Sequence, residues 1–239
     1  MTDSPLVDAV LQPVRGHMAF ESCVEQLGSA IQLGVFREGT KLPNERELSE
    51  KLNVSRATLR EAISALRAAG FVTTTRGREG GTFVEPIANA RQPHLAPNQD
   101  RQDEIDDILI FRSIIEPGAC GQAASTKLSE ESRTLLRDCL HDLDVAASPT
   151  DYRQADARLH LAISSVCGSA ELSKACSTIQ TMIHQFLAEI PFLRANIVNS
   201  DHQHRQIVQA ILDGDAETAR TVMVAHCDAT AALLKGLLK

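Results

Sequence analysis

Ser55-Arg56-Ala57-Thr58-Leu59-Arg60-Glu61-Ala62-Ile63-Ser64-Ala65-Leu66-Arg67-Ala68-Ala69-Gly70 is the stretch that decides how the first third of this chain folds. Ser55 is a favourable N-cap and Gly70 a favourable stop, so the spacing predicts a helix from Ser55 to about Ala69. At about 100° per residue, Leu59, Ala62, Leu66 and Ala69 share one face. Arg56, Arg60 and Arg67 fall on a separate, adjacent stripe. One stripe buries the helix, and the other is free to face a nucleic-acid groove. Arg56 and Thr58 lie in the first turn, where a recognition helix meets base edges and where the helix dipole favours phosphate. An arginine there can pair with guanine through two hydrogen bonds. The plain alternative is a solvated arginine face, and the flanking sequence argues against it.

Upstream, a helix is expected from about Met18 to Leu33, with Val24, Leu27 and Ile31 on one face and Gly34 near its end. In Leu42-Pro43-Asn44-Glu45-Arg46-Glu47, Asn44 can cap a second, short helix ending near Asn53, with Glu47 completing a capping box. Downstream the period changes. Phe71 to Thr75 and Thr82 to Val84 are rich in β-branched and aromatic residues around the glycine-rich turn Arg76-Gly77-Arg78-Glu79-Gly80-Gly81, which predicts a β-hairpin. Three helices and a hairpin make a winged helix-turn-helix.

The net charge of −7 argues against nucleic acid only until its distribution is read. From Arg15 to Glu85 there are ten Lys/Arg against nine Asp/Glu, and between Ser55 and Arg78 five Arg against one Glu. Positive charge is concentrated where a groove reader needs it. Residues 1–14 read as a short leader, disordered at its start, and 15–85 as the winged helix-turn-helix. Residues 86–102, with Pro86, Pro93 and Pro97, have the composition of a linker. From 103 to 239 only helical periodicity is present, so the fold class is mainly α, with an all-α antiparallel bundle as the second domain. Pro117 is expected to kink its first helix. No apolar run reaches the length of a membrane span, and the start lacks a secretory signal, so a cytoplasmic protein is expected. Six cysteines without a C-x-x-C pair read as reduced core residues.

Within the bundle, Asp156 and His160 are four apart and meet on one helix face. His204 and His226 are equidistant from residue 215, inside the turn signal Asp213-Gly214-Asp215. Antiparallel helices joined there bring the two imidazoles to one level. Three imidazoles and a carboxylate suit a divalent transition metal such as Zn²⁺, Ni²⁺ or Mn²⁺, with open positions for a ligand's carboxylate or hydroxyl.

The motifs Leu42-Pro43-Asn44-Glu45-Arg46-Glu47-Leu48, Val54 to Ala62 and Gly70-Phe71-Val72 closely resemble the DNA-binding domain of the GntR family, over about 18–85. The resemblance implies operator contacts from Arg46, Arg56 and Arg60, with Ser55, Ala57 and Thr58 at the helix entrance. It also implies that Arg76-Gly77 is a wing tip entering the minor groove. Family members usually carry Pro or Thr at position 57, so Ala57 leaves the base preference open. Residues 104–235 are similar to the FCD domain, the helical effector domain of the FadR subfamily. That similarity puts Asp156, His160, His204 and His226 at the family's metal-ligand positions. It also implies that Arg112, in Phe111-Arg112-Ser113-Ile114-Ile115-Glu116, points into the pocket and pairs with an anionic effector. A surface ion pair with Glu116 is the alternative for Arg112. Where the family often has Gly-Asn, this chain has Gly168-Ser169-Ala170. His184 and His202 are expected at the surface or rim.

These readings converge on a DNA-binding regulator, a repressor by the commoner family behaviour. It is expected to act as a homodimer on a palindromic operator and to respond to a small organic acid. The alternatives are a metalloenzyme using the Asp/His cluster, for which no general base is at hand, and a constitutive DNA-binding dimer without an effector.

Overall fold

The computed structural model describes residues 5–13, 19–75, 77, 80–86 and 99–238. The chain divides into two compact units, Met1–Leu95 and Ala96–Lys239.

In the first unit, helices α1 (Pro5–Val10), α2 (Ala19–Gln32), α3 (Glu45–Leu52) and α4 (Arg56–Ala68) precede strands β1 (Val72–Thr75) and β2 (Gly81–Val84). The side chains of Asn44 and Ser55 start α3 and α4, accepting from Glu47 N at 2.9 Å and Thr58 N at 3.0 Å. Asn53, at φ +53°, ends α3 in the left-handed region, which asparagine tolerates. Leu59, Ala62, Ile63 and Leu66 of α4 are buried, and α4 packs on the buried face of α2 formed by Cys23, Leu27, Ala30 and Ile31. The arginine stripe is left outside. The two strands pair antiparallel with Val72 opposite Val84 and Thr75 opposite Gly81. The segment before α3 adds to the same edge, Leu42 N donating to Thr82 O at 2.8 Å and Val84 N to Thr40 O at 3.0 Å. The wing is thereby anchored to the loop that precedes the helix-turn-helix.

The leader differs from expectation. Pro5–Val10 is helical, and Leu6, Val7, Ala9, Val10 and Leu11 are all buried. Asp8 pairs with Lys51 of α3, and Gln12 N donates to Gln26 Oε1 at 2.6 Å. Five apolar side chains in six residues are too much hydrophobic surface to leave in water, so this segment joins the core.

The second unit holds α5 (Gln99–Ser125), α6 (Glu130–Asp144), α7 (Pro149–Ser165), α8 (Ala170–Glu189), α9 (Arg194–Asp213) and α10 (Ala216–Leu237). Most of the expected linker, 87–98, lies outside the described residues. Its last four, 99–102, are helical instead, because Gln99-Asp100-Arg101-Gln102 contains nothing that breaks a helix. Helix α5 continues across Pro117. Ser129, Ser148, Ser169 and Asp215 cap the following helices, each accepting from the amide three residues on at 3.0–3.3 Å. Ser169 is thus occupied as a cap, in the segment that departs from the family pattern. Helix α5 packs against α7, α8, α9 and α10. One buried cluster joins Ile105, Ile108 and Leu109 of α5, Ile179, Ile183 and Phe186 of α8, Ile190, and Leu234 of α10. At about 1.5–3 kcal/mol for each large aliphatic side chain removed from water, this cluster fixes how the helices stack. All six cysteines are free and buried.

Candidate functional site

Two places gather the residues singled out above. On the first unit, Arg46, Ser55, Arg56, Ala57 and Arg60 are exposed at the outer face of α3 and α4, with Thr58 half-buried. Arg46 Nη1 lies 3.3 Å from Glu50 Oε1, and Arg60 Nε 2.7 Å from Glu45 Oε2. Exposed pairs of this kind contribute only about 0–1 kcal/mol, so exchanging them for phosphate oxygens costs little. Arg56 has no ion-pair partner among the described residues. Arg76 lies outside the described residues. Gly77 is exposed with φ +117°, a backbone conformation that favours glycine at the tip of the wing.

In the second unit, Asp156 and His160 stand one turn apart on α7. His204 on α9 and His226 on α10 are brought to one level by the turn at Gly214, where φ is +79°. The hairpin closes when Asp215 N donates to Ala210 O at 2.8 Å. One ligand atom from each of Asp156, His160, His204 and His226 lies within 4.8 Å of every other. The ring centres of His204 and His226 are 4.6 Å apart, those of His160 and His226 5.1 Å, and those of His160 and His204 5.6 Å. All three histidines are buried.

Burial first, then the neighbouring cationic groups, push His204 and His226 well below the usual histidine range. Both are therefore neutral near pH 7 and keep a lone pair to donate. Neither ring nitrogen of His160 or of His204 has a partner in hydrogen-bond geometry. The nearest groups are Glu116 Oε2, 3.1 Å from His160 Nδ1, and Asp156 Oδ1, 3.3 Å from His204 Nε2. Buried imidazole nitrogens left without hydrogen bonds are costly unless something else uses them. Ligands about 2.0–2.2 Å from one ion are about 3–4 Å from each other. Small side-chain movements bring these four donors to that spacing, so the residues fit a divalent metal.

Arg112 and Glu116 behave differently from a surface pair. Arg112 is 1% exposed and Glu116 3%, with Arg112 Nε donating to Glu116 Oε2 at 2.8 Å. Glu116 Oε1 also accepts from Gln180 Nε2 at 2.5 Å. Burial alone opposes its charge, but the Arg112 guanidinium and His160 outweigh that and hold the carboxyl well below the usual range. Arg112 Nη1 remains without a hydrogen-bond partner. That guanidinium lines a pocket together with Asp156 and His226. The pocket, about 90 Å³ in volume, is further lined by Tyr152 and Arg153 of α7, by Leu187 and residues 190–193 at the end of α8 and beyond it, by the first half of α9, and by Ala229, Thr230 and Leu233 of α10. His202 is exposed and His184 half-buried, and neither lines the pocket.

Comparison with known proteins covers both units. Residues 21–84 match the bacterial regulatory proteins of the gntR family, and residues 107–229 match the FCD domain. The chain belongs to the GntR family. Within that family it is similar to RmpR of Mycobacterium gastri, a provisionally named HTH-type transcriptional regulator. The two are 32% identical over 86% of this chain and 76% of that one. It is equally similar, at 32% over 79% of this chain and 75% of the other, to a provisionally named L-lactate dehydrogenase operon regulatory protein of Escherichia coli K12. The solved structure of E. coli McbR/YncC shares the fold, with a TM-score of 0.54 at 17% identity over 92% of this chain and 99% of that one. This GntR-family chain is therefore a DNA-binding transcriptional regulator with an FCD effector-binding domain, not an enzyme. No helix among its described residues is long and apolar enough to cross a membrane.

Sequence reading singled out the four residues that the structure brings together, and Arg112. Its alternative for Arg112 was a surface ion pair with Glu116, whereas the structure buries Glu116 between Arg112, Gln180 and His160. The i, i+4 spacing of Arg112 and Glu116 was the available signal. The pocket residues Tyr152, Arg153 and Phe192 were missed; Tyr152 is the chain's single tyrosine.

Proposed function

We propose that this regulator is a repressor whose operator affinity is set by a small carboxylate bound at a metal in the helical unit. The observation that carries this reading is one shared pocket. Asp156 and His226 of the four-residue cluster line it together with Arg112, whose buried Nη1 has no protein acceptor. Asp156, His160, His204 and His226 would hold the ion, Zn²⁺, Ni²⁺ or Mn²⁺ by donor type. Such an ion supplies open coordination positions for carboxylate or hydroxyl oxygens, and Arg112 supplies charge-assisted hydrogen bonds to the same acid group. The Glu116 carboxylate, 3.1 Å from His160 Nδ1, is close enough to orient that ring once the ion is held. The relative named for an L-lactate dehydrogenase operon supports a hydroxy acid as the chemical class.

On the DNA side, Arg56 and Thr58 in the first turn of α4 read base edges, with Ser55 and Ala57 beside them at the helix entrance. Arg46 and Arg60 hold phosphates, and Arg76-Gly77 enters the minor groove. One such head reads too few base pairs, so two copies on a palindromic operator are required. An acid that binds one arrangement of the two heads better than the other shifts operator affinity by that difference.

The test uses DNA from upstream of the regulator's own gene, titrated with and without small carboxylates on metal-loaded protein. A carboxylate that lowers operator affinity supports the reading, and indifference to every acid overturns the effector half of it. For the DNA half, Arg56→Ala is expected to weaken binding to this duplex about 10- to 100-fold, the equivalent of about 1–3 kcal/mol of base discrimination. Its melting temperature should not change, because the side chain is exposed. Unchanged affinity in this variant overturns the docking of α4.

A further inference from the structure

We propose that the effector is a carboxylate carrying an apolar substituent of several carbons, rather than a two- or three-carbon acid. The inference rests on the carboxylate reading above and adds the identity of the rest of the molecule. The pocket lining carries two kinds of group. Arg112, Asp156 and His226 line it together with side-chain amides and hydroxyls of α9 and α10. A hydrocarbon wall is contributed by Leu187, Ile190, Phe192, Ile197 and Leu233. A short hydroxy acid held by Arg112 and the Asp/His cluster leaves that hydrocarbon facing water.

The wall is built rather than incidental. Residues 190–193 join α8 to α9, and two neighbouring side chains of α7 that also line the pocket hold them in place. Arg153 Nη2 donates to Ile190 O at 2.9 Å, and its guanidinium lies 5.8 Å above the Phe192 ring centre. Tyr152 meets the same ring edge-on, with centroids 5.6 Å apart and planes at 74°. Tyr152 is itself fixed, its hydroxyl donating to Asp201 Oδ1 at 2.7 Å. An aromatic ring held this way gives a preformed apolar surface, which a ligand can cover without ordering a loop.

Arg153 raises a rival, a diacid whose second carboxylate reaches this guanidinium. Its engagement by Ile190 O and by the Phe192 face disfavours that, and the test separates the two.

The experiment is calorimetric titration of the full chain, loaded with Zn²⁺, with glycolate, lactate, 2-hydroxybutanoate and 2-hydroxyhexanoate, and with the diacid 2-hydroxyadipate. Each added methylene is expected to tighten binding about fourfold, the fold-change equivalent of burying one such group. Lactate and 2-hydroxyhexanoate then differ by about sixtyfold, and 2-hydroxyadipate binds more weakly than 2-hydroxyhexanoate. Phe192→Ser is expected to compress the ratio between 2-hydroxyhexanoate and glycolate by about tenfold. A flat or falling ladder, or tighter binding of the diacid, overturns this inference while the carboxylate reading stands. An undiminished ratio in Phe192→Ser removes the wall as its cause. Binding by none of the acids overturns the carboxylate reading itself.

Discussion

Replacing His204 and His226 together by alanine is expected to drop the bound divalent metal from about one ion per chain to less than about a tenth, measured by elemental analysis after chelator-free purification. The two imidazoles arrive from α9 and α10, and the ligands that remain, Asp156 and His160, both sit on α7. Two donors from one helix turn cannot enclose an ion that prefers at least three protein ligands. A second readout guards against simple misfolding. An ion that binds only the folded chain, at about a thousandfold above its dissociation constant, contributes about 4 kcal/mol. In a unit of this size that corresponds to a melting shift of roughly 8–16 °C. Chelation should therefore lower the melting temperature of the unaltered protein by that order, and Zn²⁺ should restore it. The double variant should respond to neither. An unaltered protein that carries less than about a tenth of an equivalent, and takes up none of Zn²⁺, Ni²⁺ or Mn²⁺ when offered, would sink the metal reading.

The convergence of His204 with His226 was legible because one pivot governs it. Gly214 in the left-handed region and Asp215 as the next cap fold α9 back on α10, so equal distances from residue 215 translate into equal height. Two helix starts of the first unit were legible for a similar reason, since the side chains of Asn44 and Ser55 each satisfy an amide three residues on. The burial of Glu116 was not legible. An Arg and a Glu four apart look alike on a solvated helix and on one enclosed by neighbours, and only the packing of α7, α8, α9 and α10 around α5 distinguishes them. The apolar pocket wall was hidden because it joins a helix end, a connecting loop and residues of α10 far apart in sequence. The leader was misjudged by its position, although Leu6, Val7, Val10 and Leu11 supplied the contrary signal. Charge followed the same logic in reverse. The net value pointed away from DNA, and the five arginines between Ser55 and Arg78 pointed towards it.

Glu116→Ala is expected to destabilise the helical unit by about 3–5 kcal/mol, the usual cost of leaving one member of a buried ion pair without the other. Thermal unfolding should record this as a drop of roughly 6–20 °C. The loss is concentrated on Arg112, a guanidinium at 1% exposure whose charge then has no compensating carboxylate at contact distance. Because Arg112 and His160 hold the Glu116 carboxyl below its ordinary value, its contribution is fully present above about pH 4.3 and is lost only as the pH falls well below that. The deficit of the variant should therefore be constant from pH 6 to pH 8. A companion variant separates stability from function. Arg112→Met with Glu116→Leu removes both charges, and apolar replacement of a whole buried pair is often neutral or stabilising. That chain should melt near the unaltered protein yet fail to bind a carboxylate, since Arg112 Nη1, a hydrogen-bond donor with no protein acceptor, is gone. If Glu116→Ala costs less than about 1 kcal/mol, the pair is more solvated than its burial indicates, and Arg112 no longer counts as a desolvated charge held for an anion. If the double variant binds carboxylates as before, the anion is held by something other than Arg112. A buried ion pair of this kind adds little to stability, so binding by the double variant is the measurement that decides whether the pair serves the proposed anion site.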